Sequence, residues 1–204
     1  MPPIGILGGT FNPPHIGHLI CARAALEALE LQRVLLMPAA QPPHKEIPDD
    51  PSPQRRLELC RLAVAGDDRL EASAVEVERG GRSYTVDTLA ALRETRPEDE
   101  LTFIAGGDMA LGLPSWREPE RVLELARFAV AEREGADREA VREALAPLGA
   151  DGRLEFFDMP RVDVSSSEIR RRVAAGRSVR YLVPEAVAEY VAGQGLYRAR
   201  VAAG

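Results

Sequence analysis

The stretch GILGGTFNPPHIGHL, residues 5–19, runs from a short apolar strand through a glycine pair and two prolines into the start of a helix. It contains four of the chain's 17 glycines, two of its 16 prolines and two of its three histidines. A strand that turns directly into a helix aims backbone N–H groups and the positive end of a helix dipole at one spot, which favours a phosphate. The spacing is neither the GxGxxG dinucleotide fingerprint nor the GxxxxGK[ST] phosphate loop, so a dehydrogenase and a P-loop NTPase are disfavoured. His15 and His18 stand three apart at the helix start, hence on one face, and Gly17 leaves no side chain to block an approaching group. Both imidazoles are expected to reach the same bound group.

Working outward, short β-rich runs alternate with longer runs of helical period. GILGG precedes IGHLICARAALEALEL, VLLMPA precedes PQRRLELCRLAVAG, and LEASAVEVE precedes YTVDTLAALRE; LTFIAG, FAVAE and RLEFFD are each followed by a further helical pattern. Apolar strands that hardly alternate suit a parallel sheet covered on both faces, joined by right-handed crossovers. The expected fold is α/β, a doubly wound Rossmann-like parallel sheet forming a single domain over residues 1–204, with the segment 163–200 completing its site. Ligands of such sheets bind beyond the carboxyl ends of the strands. The loops GTFNPPH, PAAQPPHKEIPDDPSP, GGRS, GGDMALGLPSW and MPRVDVSS should therefore share one rim. The Pro-rich stretch 38–53 is expected to lie as a mobile loop over the site, and YLVPEAVAEYVAGQGLY to form a helix that starts near Pro184 and docks on the sheet.

At 204 residues and 45% hydrophobic content the chain can bury one good core. No apolar run approaches the ~20 residues of a membrane helix. The start MPPIGILGG has no basic region ahead of an apolar one, so no signal or transit peptide is expected, and the expected compartment is the cytoplasm. Cys21 and Cys60 fall in apolar helical patterns without Cys or His at ligand spacing, and read as buried reduced thiols. A net charge of -6 argues against a general nucleic-acid binder but not against a small polyanionic substrate. Lys45 is the only lysine among 26 basic residues.

Three chemistries compete for the histidine pair. Zinc needs a third protein ligand, and the remaining histidine, His44, stands in a loop beside Lys45, a setting for an anion rather than a cation. Service as a serine's base needs a nucleophile elbow such as GxSxG, which the chain lacks. Phosphate contact leads, ahead of ordinary helix-start polar residues. GGTFNPPHIGH moreover resembles the GxFxPxHxGH signature of the nucleotidylyltransferase superfamily, and HIGH at 15–18 is shared with the class I aminoacyl-tRNA synthetases. In both, an oxyanion attacks the α-phosphate in line with no protein nucleophile.

A second anion cradle is expected at DVSSSEIRRRV, residues 163–173, where Ser165, Ser166 and Ser167 begin a helix and Arg170 lies one turn in. Ser165 and Glu168 form a capping box, which leaves the other hydroxyls and Arg170 to a triphosphate. The run resembles the superfamily's ISSTxIR motif, with Ser167 in the place of Thr. The synthetases' KMSKS motif is missing. RGGRSYTVDTL, FIAGGDMALGLPSWRE, PAAQPPHK and the C-terminal QGLYR resemble stretches of one branch, the bacterial nicotinate-nucleotide adenylyltransferases, and together they span nearly the whole chain. Asn12 stands where many members have Asp.

The resemblance implies transfer of AMP from ATP to nicotinate mononucleotide, with Mg2+ bound to ATP, giving nicotinate adenine dinucleotide and pyrophosphate for NAD biosynthesis. Nicotinamide mononucleotide and phosphopantetheine are the alternative acceptors, and a homo-oligomer is possible. It implies catalysis by His15, His18 and Arg170, and ATP contacts from these together with Gly8, Gly9, Thr10, Phe11, Gly17, Ser165, Ser166 and Ser167. The acceptor falls to His44, Lys45, Ser83, Tyr84, Thr85, Asp108 and Trp116. Each has a physical reading as well. Trp116 can stack on a pyridine ring, against a competing reading as core plug. Ser83, Tyr84 and Thr85 begin a helix whose free N–H groups and hydroxyls could receive a carboxylate or ribose. Asp108 could accept from a ribose hydroxyl or cap its helix, and His44 and Lys45 could close on phosphates.

Overall fold

The computed structural model describes residues 2–43, 46–132, 138–150 and 152–199. Six strands form one sheet: β1 (Pro3–Gly9), β2 (Arg33–Pro38), β3 (Leu70–Ala72), β4 (Glu100–Gly106), β5 (Arg127–Glu132) and β6 (Leu154–Asp158). Their order is β3-β2-β1-β4-β5-β6 and every pair is parallel. The chain winds from β1 outward to β3, then returns to β4 on the other side of β1. The topological switch point thus lies between β1 and β4, where a crevice opens beyond the strand ends. The helices are α1 (Ile16–Ala28), α2 (Pro53–Val64), α3 (Val75–Arg79), α4 (Thr85–Thr95), α5 (Gly107–Gly112), α6 (Pro119–Leu125), α7 (Arg138–Leu145), α8 (Ser166–Ala174) and α9 (Glu185–Gly193). Among the described residues no helix is long and apolar enough to cross a membrane.

Both faces of the sheet are covered, which explains the unbroken apolar character of the strands. On one face Ile4, Ile6, Leu35, Met37, Phe103, Phe128 and Val130 pack with Leu89 and Leu92 of α4 and Leu123 of α6. On the other, Leu7, Val34, Leu36, Ile104 and Ala129 pack with Ala22, Ala25 and Leu26 of α1 and Cys60 of α2. Cys21 and Cys60 are both buried.

The structure departs from the sequence expectation in two places. LEASAVEVE does not run on as a strand: β3 stops after three residues paired to β2, and Val75–Arg79 is helical. The V-E-V-E alternation mimics a half-buried strand, but in the helix Glu76 turns inward to accept a hydrogen bond from Thr88 Oγ1 at 2.6 Å. Tertiary contacts override the local pattern. The C-terminal helix also starts as expected, with Pro184 at its N-cap, yet it does not dock on the sheet. Val187 and Val191 of α9 pack with Leu59 and Ala63 of α2 and Ile169 of α8, a third cluster outside the helix layer.

In β1, at the centre of the sheet, a Cβ on Gly5 would lie 2.8 Å from Ile104 Cδ1 and Leu31 Cδ1 and 2.9 Å from Val34 Cγ2. Gly5→Ala is expected to lower unfolding stability by about 1–3 kcal/mol through overpacking, measured by urea denaturation.

Candidate active site

The turn after β1 is held open by crowding. Cβ atoms on Gly8 and Gly9 would meet the rings of Phe103 at 3.3 Å and Phe11 at 3.0 Å. Phe11 itself adopts a left-handed φ of 50° and is 1% exposed, with its ring edge-on to His18 at 4.9 Å. His15 is the N-cap of α1 and His18 its third residue, and the two side chains reciprocate in the manner of a capping box. His18 Nδ1 accepts from the His15 backbone N–H at 3.1 Å. That bond fixes the neutral tautomer, with the ring proton on Nε2, so His18 is a donor without needing to be charged.

Two cavities open beyond the strand ends. The larger, about 710 Å³, has Gly17, His18, Phe11, Asn12, Ser166, Ser167 and Arg170 on its wall. The smaller, about 330 Å³, has Met37, Phe103, Tyr84, Thr85, Trp116 and Arg117. Gly8, Gly9, Thr10, Asp108 and Met109 line both. The rim loops thus converge as the sequence suggests. The stretch after β2 spans the two: Pro42 and Pro43 belong to the smaller cavity, and Glu46, Ile47 and Pro48 to the larger. His44 and Lys45 lie outside the described residues.

The predicted residues occupy different depths. His15, 6% exposed, is not on either cavity wall; its ring lies 3.7 Å from that of His18, which is. Of the two imidazoles expected to reach one ligand, His18 lines the larger cavity and His15 lies beside it. Ser165 caps α8, accepting from the Glu168 N–H at 3.2 Å, while the Glu168 carboxylate turns to Arg171 and Arg172. Ser166 donates to the Pro13 carbonyl at 2.8 Å, and Ser167 accepts from Arg170 at 3.3 Å. Arg170 also donates from Nη1 to the Asn12 carbonyl at 2.9 Å, and its buried Nε is 3.9 Å from Asp49 Oδ2. The second cradle is thereby fastened to the first.

At the smaller cavity, Gly80 and Gly81 both take φ of 68°, a pair of left-handed residues that brings the chain from α3 to α4. Ser83 is buried and accepts from the Ala40 N–H at 2.9 Å, so it is a tie between loops as well as a wall residue. Tyr84 is the N-cap of α4, without a side-chain cap bond, and Thr85 is its first residue. Trp116 combines its two readings: half-buried, it meets Phe103 and Phe128 edge-on at 5.8 and 6.3 Å while lining the cavity. Asp108 is exposed in the first turn of α5, where Gly106 takes the cap position.

Three residues that organise the site did not stand out in the sequence. Arg56, fully buried, donates to the Thr10, Ala39 and Ala40 carbonyls and to Asp50 Oδ1. Its signal is positional, an arginine four residues before Cys60 and seven before Ala63 on the buried face of α2. Glu76 lies on the smaller cavity wall, and burial pushes its carboxyl pKa up against hydrogen bonds from Ser83 and Thr88 and the charges of Arg79 and Arg56. Tyr197 donates to Asn12 Oδ1 at 2.7 Å, and burial raises its phenol pKa above the usual range.

A doubly wound parallel sheet with this histidine turn at its switch point defines a class, and residues 6–172 match the family model described as cytidylyltransferase-like. A probable nicotinate-nucleotide adenylyltransferase of Thermus thermophilus is 46% identical over 195 residues, covering 96% of this chain and 99% of the relative. One from Rubrobacter xylanophilus is 41% identical over 197 residues, covering 96% and 92%. The chain belongs to the cytidylyltransferase-like family and, within it, to the nicotinate-nucleotide adenylyltransferases. A Plasmodium falciparum nicotinic acid mononucleotide adenylyltransferase, solved in complex with NaAD, shares the fold with a TM-score of 0.77 over 97% of this chain and 98% of that one, at 16% identity.

A Cβ on Gly17 would lie 3.1 Å from His15 Nδ1 and 3.2 Å from Cε1. Gly17→Ala favours the helix by about 1 kcal/mol in propensity but pushes the His15 ring and, through it, His18. Turnover is expected to fall about tenfold or more while the thermal midpoint holds or rises. Parallel kinetics and calorimetry check this.

Proposed function

We propose that the protein transfers AMP from ATP to nicotinate mononucleotide, forming nicotinate adenine dinucleotide and pyrophosphate in NAD biosynthesis. The observation that carries this reading is the meeting of two unlike cavities along residues 8–10. The larger carries His18, the α8 serines and Arg170 on its wall, and the smaller carries the aromatic side chains of Tyr84, Phe103 and Trp116. A triphosphate fits the first and a flat pyridine ring the second, so the acceptor's 5′-phosphate would meet the α-phosphate where the cavities join. The names of the relatives above support the same assignment.

The acceptor phosphate is already an oxyanion, so no base is required. One of its oxygens forms the bond to the α-phosphorus as the bond to the β-phosphate oxygen breaks, and the electron pair leaves with pyrophosphate. The His18 Nε2 proton, Arg170 and the N-terminus of α8 supply the charge stabilisation, with His15 holding His18 in register. In this reading segment 163–200 completes the ATP site, which the bonds of Ser166 and Arg170 to the turn after β1 support. Holding the reactants in line accounts for up to ~7–11 kcal/mol of rate enhancement in favourable cases.

ATP-using nucleotidyl transfer generally needs a divalent metal, and magnesium is the one proposed here. Among the described residues no three His, Cys, Asp or Glu side chains are grouped to hold an ion. Magnesium fits such a sparse set, because it keeps most of its shell as water and phosphate oxygens. Asp108 and Glu46, carboxylates on the wall of the larger cavity, would be the side chains to meet it, and the ion would draw charge from the phosphates. The buried thiols of Cys21 and Cys60 suit the reducing cytoplasm.

His18→Ala is expected to lower kcat by roughly 10²–10³, the scale of one lost transition-state donor. Near-normal turnover in the folded variant contradicts the role given to His18. Pyrophosphate release from ATP, followed with nicotinate mononucleotide, nicotinamide mononucleotide and phosphopantetheine in turn, tests the acceptor, and the first should give the highest kcat/KM.

A further inference from the structure

The smaller cavity has a feature that ring stacking does not use. Its aromatic side chains Tyr84, Phe103 and Trp116 share the wall with Glu76, which is 7% exposed. Thr88 Oγ1 donates to Glu76 Oε1 at 2.6 Å and itself accepts from Arg79 Nη2 at 3.0 Å, so its proton is turned toward the carboxylate or the Tyr84 carbonyl. Ser83 accepts from the Ala40 N–H, which leaves its own proton for Glu76. Hydrogen bonds from Thr88 and Ser83 favour the charged form of Glu76, against the burial that raises its pKa. A buried carboxylate is costly unless a counter-charge is near, and its contacts here are hydroxyls.

The neighbouring charges do not supply that partner at the wall. Arg79 reaches Glu76 through Thr88. Arg56, behind it, is engaged by three carbonyls and Asp50. Arg117 lies over the Tyr84 ring at 5.0 Å and pairs with Asp87 at 3.3 Å and Glu118 at 3.4 Å. Asp108 is exposed at the end shared with the larger cavity. Aromatic walls, whose faces attract cations, combined with an inward carboxylate make a receptor for a flat organic cation.

We propose that the smaller cavity recognises the positive charge of an N-substituted pyridinium ring, and that Glu76 is the specificity residue that reads it. This rests on the acceptor assigned above, and it adds which property of that acceptor the slot selects. Ring nitrogen and ring carboxylate occupy different atoms of nicotinate, so the slot can sense the one separately from the other.

The test uses two small probes that share a carboxylate and differ in ring charge: 1-methylnicotinate, a cationic ring, and benzoate, a neutral one. Trp116 is the chain's only tryptophan and lines the cavity, so saturable quenching of its fluorescence reports binding directly. Glu76→Gln is expected to reduce the affinity ratio of 1-methylnicotinate to benzoate about tenfold, chiefly by weakening the cation, with the KM for ATP unchanged. A ratio unchanged within about twofold overturns the proposal. In the unmodified protein, the ratio should decline as pH falls through the raised Glu76 pKa, because protonation removes the charge that attracts the ring. Both probes keep their carboxylates largely ionised from about pH 8 down to about 5. A ratio that rises as pH falls over that range overturns the proposal even if Glu76→Gln does not fold. Should the ratio respond while nicotinate mononucleotide gives no pyrophosphate, the acceptor assignment falls and the charge reading stands. Should transfer proceed with the ratio unmoved, only the charge reading falls.

Discussion

One buried guanidinium organises the site. Arg56 reaches from α2 beneath the strand ends, donating to the Thr10 carbonyl after β1, to the Ala39 and Ala40 carbonyls after β2, and to Asp50. A planar group with several donors in fixed directions can tie three backbone segments at once, which an ammonium cannot do with the same geometry. The tie continues outward: Ala40 donates to Ser83, and Ser83 leads to Glu76 and the start of α4. Thr10 lies on the wall common to both cavities. Such an arrangement is costly to assemble and costlier to break, since leaving one partner of a buried ion pair unmatched costs about 3–5 kcal/mol.

A second knot joins the C-terminal segment to the same turn. Asn12 is 2% exposed; its amide donates to the Pro48 carbonyl at 2.9 Å, its side-chain oxygen accepts from Tyr197, and its backbone carbonyl accepts from Arg170. A carboxylate at this position could not make the bond to Pro48, because an ionised acid has no proton to donate. Asn12 therefore suits this loop better than an Asp would. The two knots divide the work, Arg56 holding the sheet side of the site and Asn12 its helical side.

How much of this could be read in advance follows from the range of the interactions involved. Strands and helices announced themselves by apolar period, and the glycine turn with His15 and His18 by local composition, because those features are set by neighbours in the chain. Trp116, Asp108 and the α8 serines were placed on the right rim because the doubly wound topology brings its loops to one end. Glu76 was hidden, since V-E-V-E has the period of a strand and only partners seven and twelve residues away, Ser83 and Thr88, make it an inward helical residue. For the histidine pair, three-residue spacing puts two rings on one face, and only the packed fold shows that His18 lines the larger cavity with His15 beside it. The docking of α9 on α2 depended on Leu59 and Ala63, part of a second apolar face on α2 that the sheet does not use.

Under the proposed function the site acts through donors and shape. On that reading the α-phosphorus passes directly from one oxygen to another in a single in-line displacement. Stereochemistry at that phosphorus tests the claim most directly. With one diastereomer of ATP bearing sulfur at the α-phosphate as donor, the dinucleotide product should show inversion of configuration. Retention would mean two displacements through a covalent enzyme intermediate, and would contradict this account.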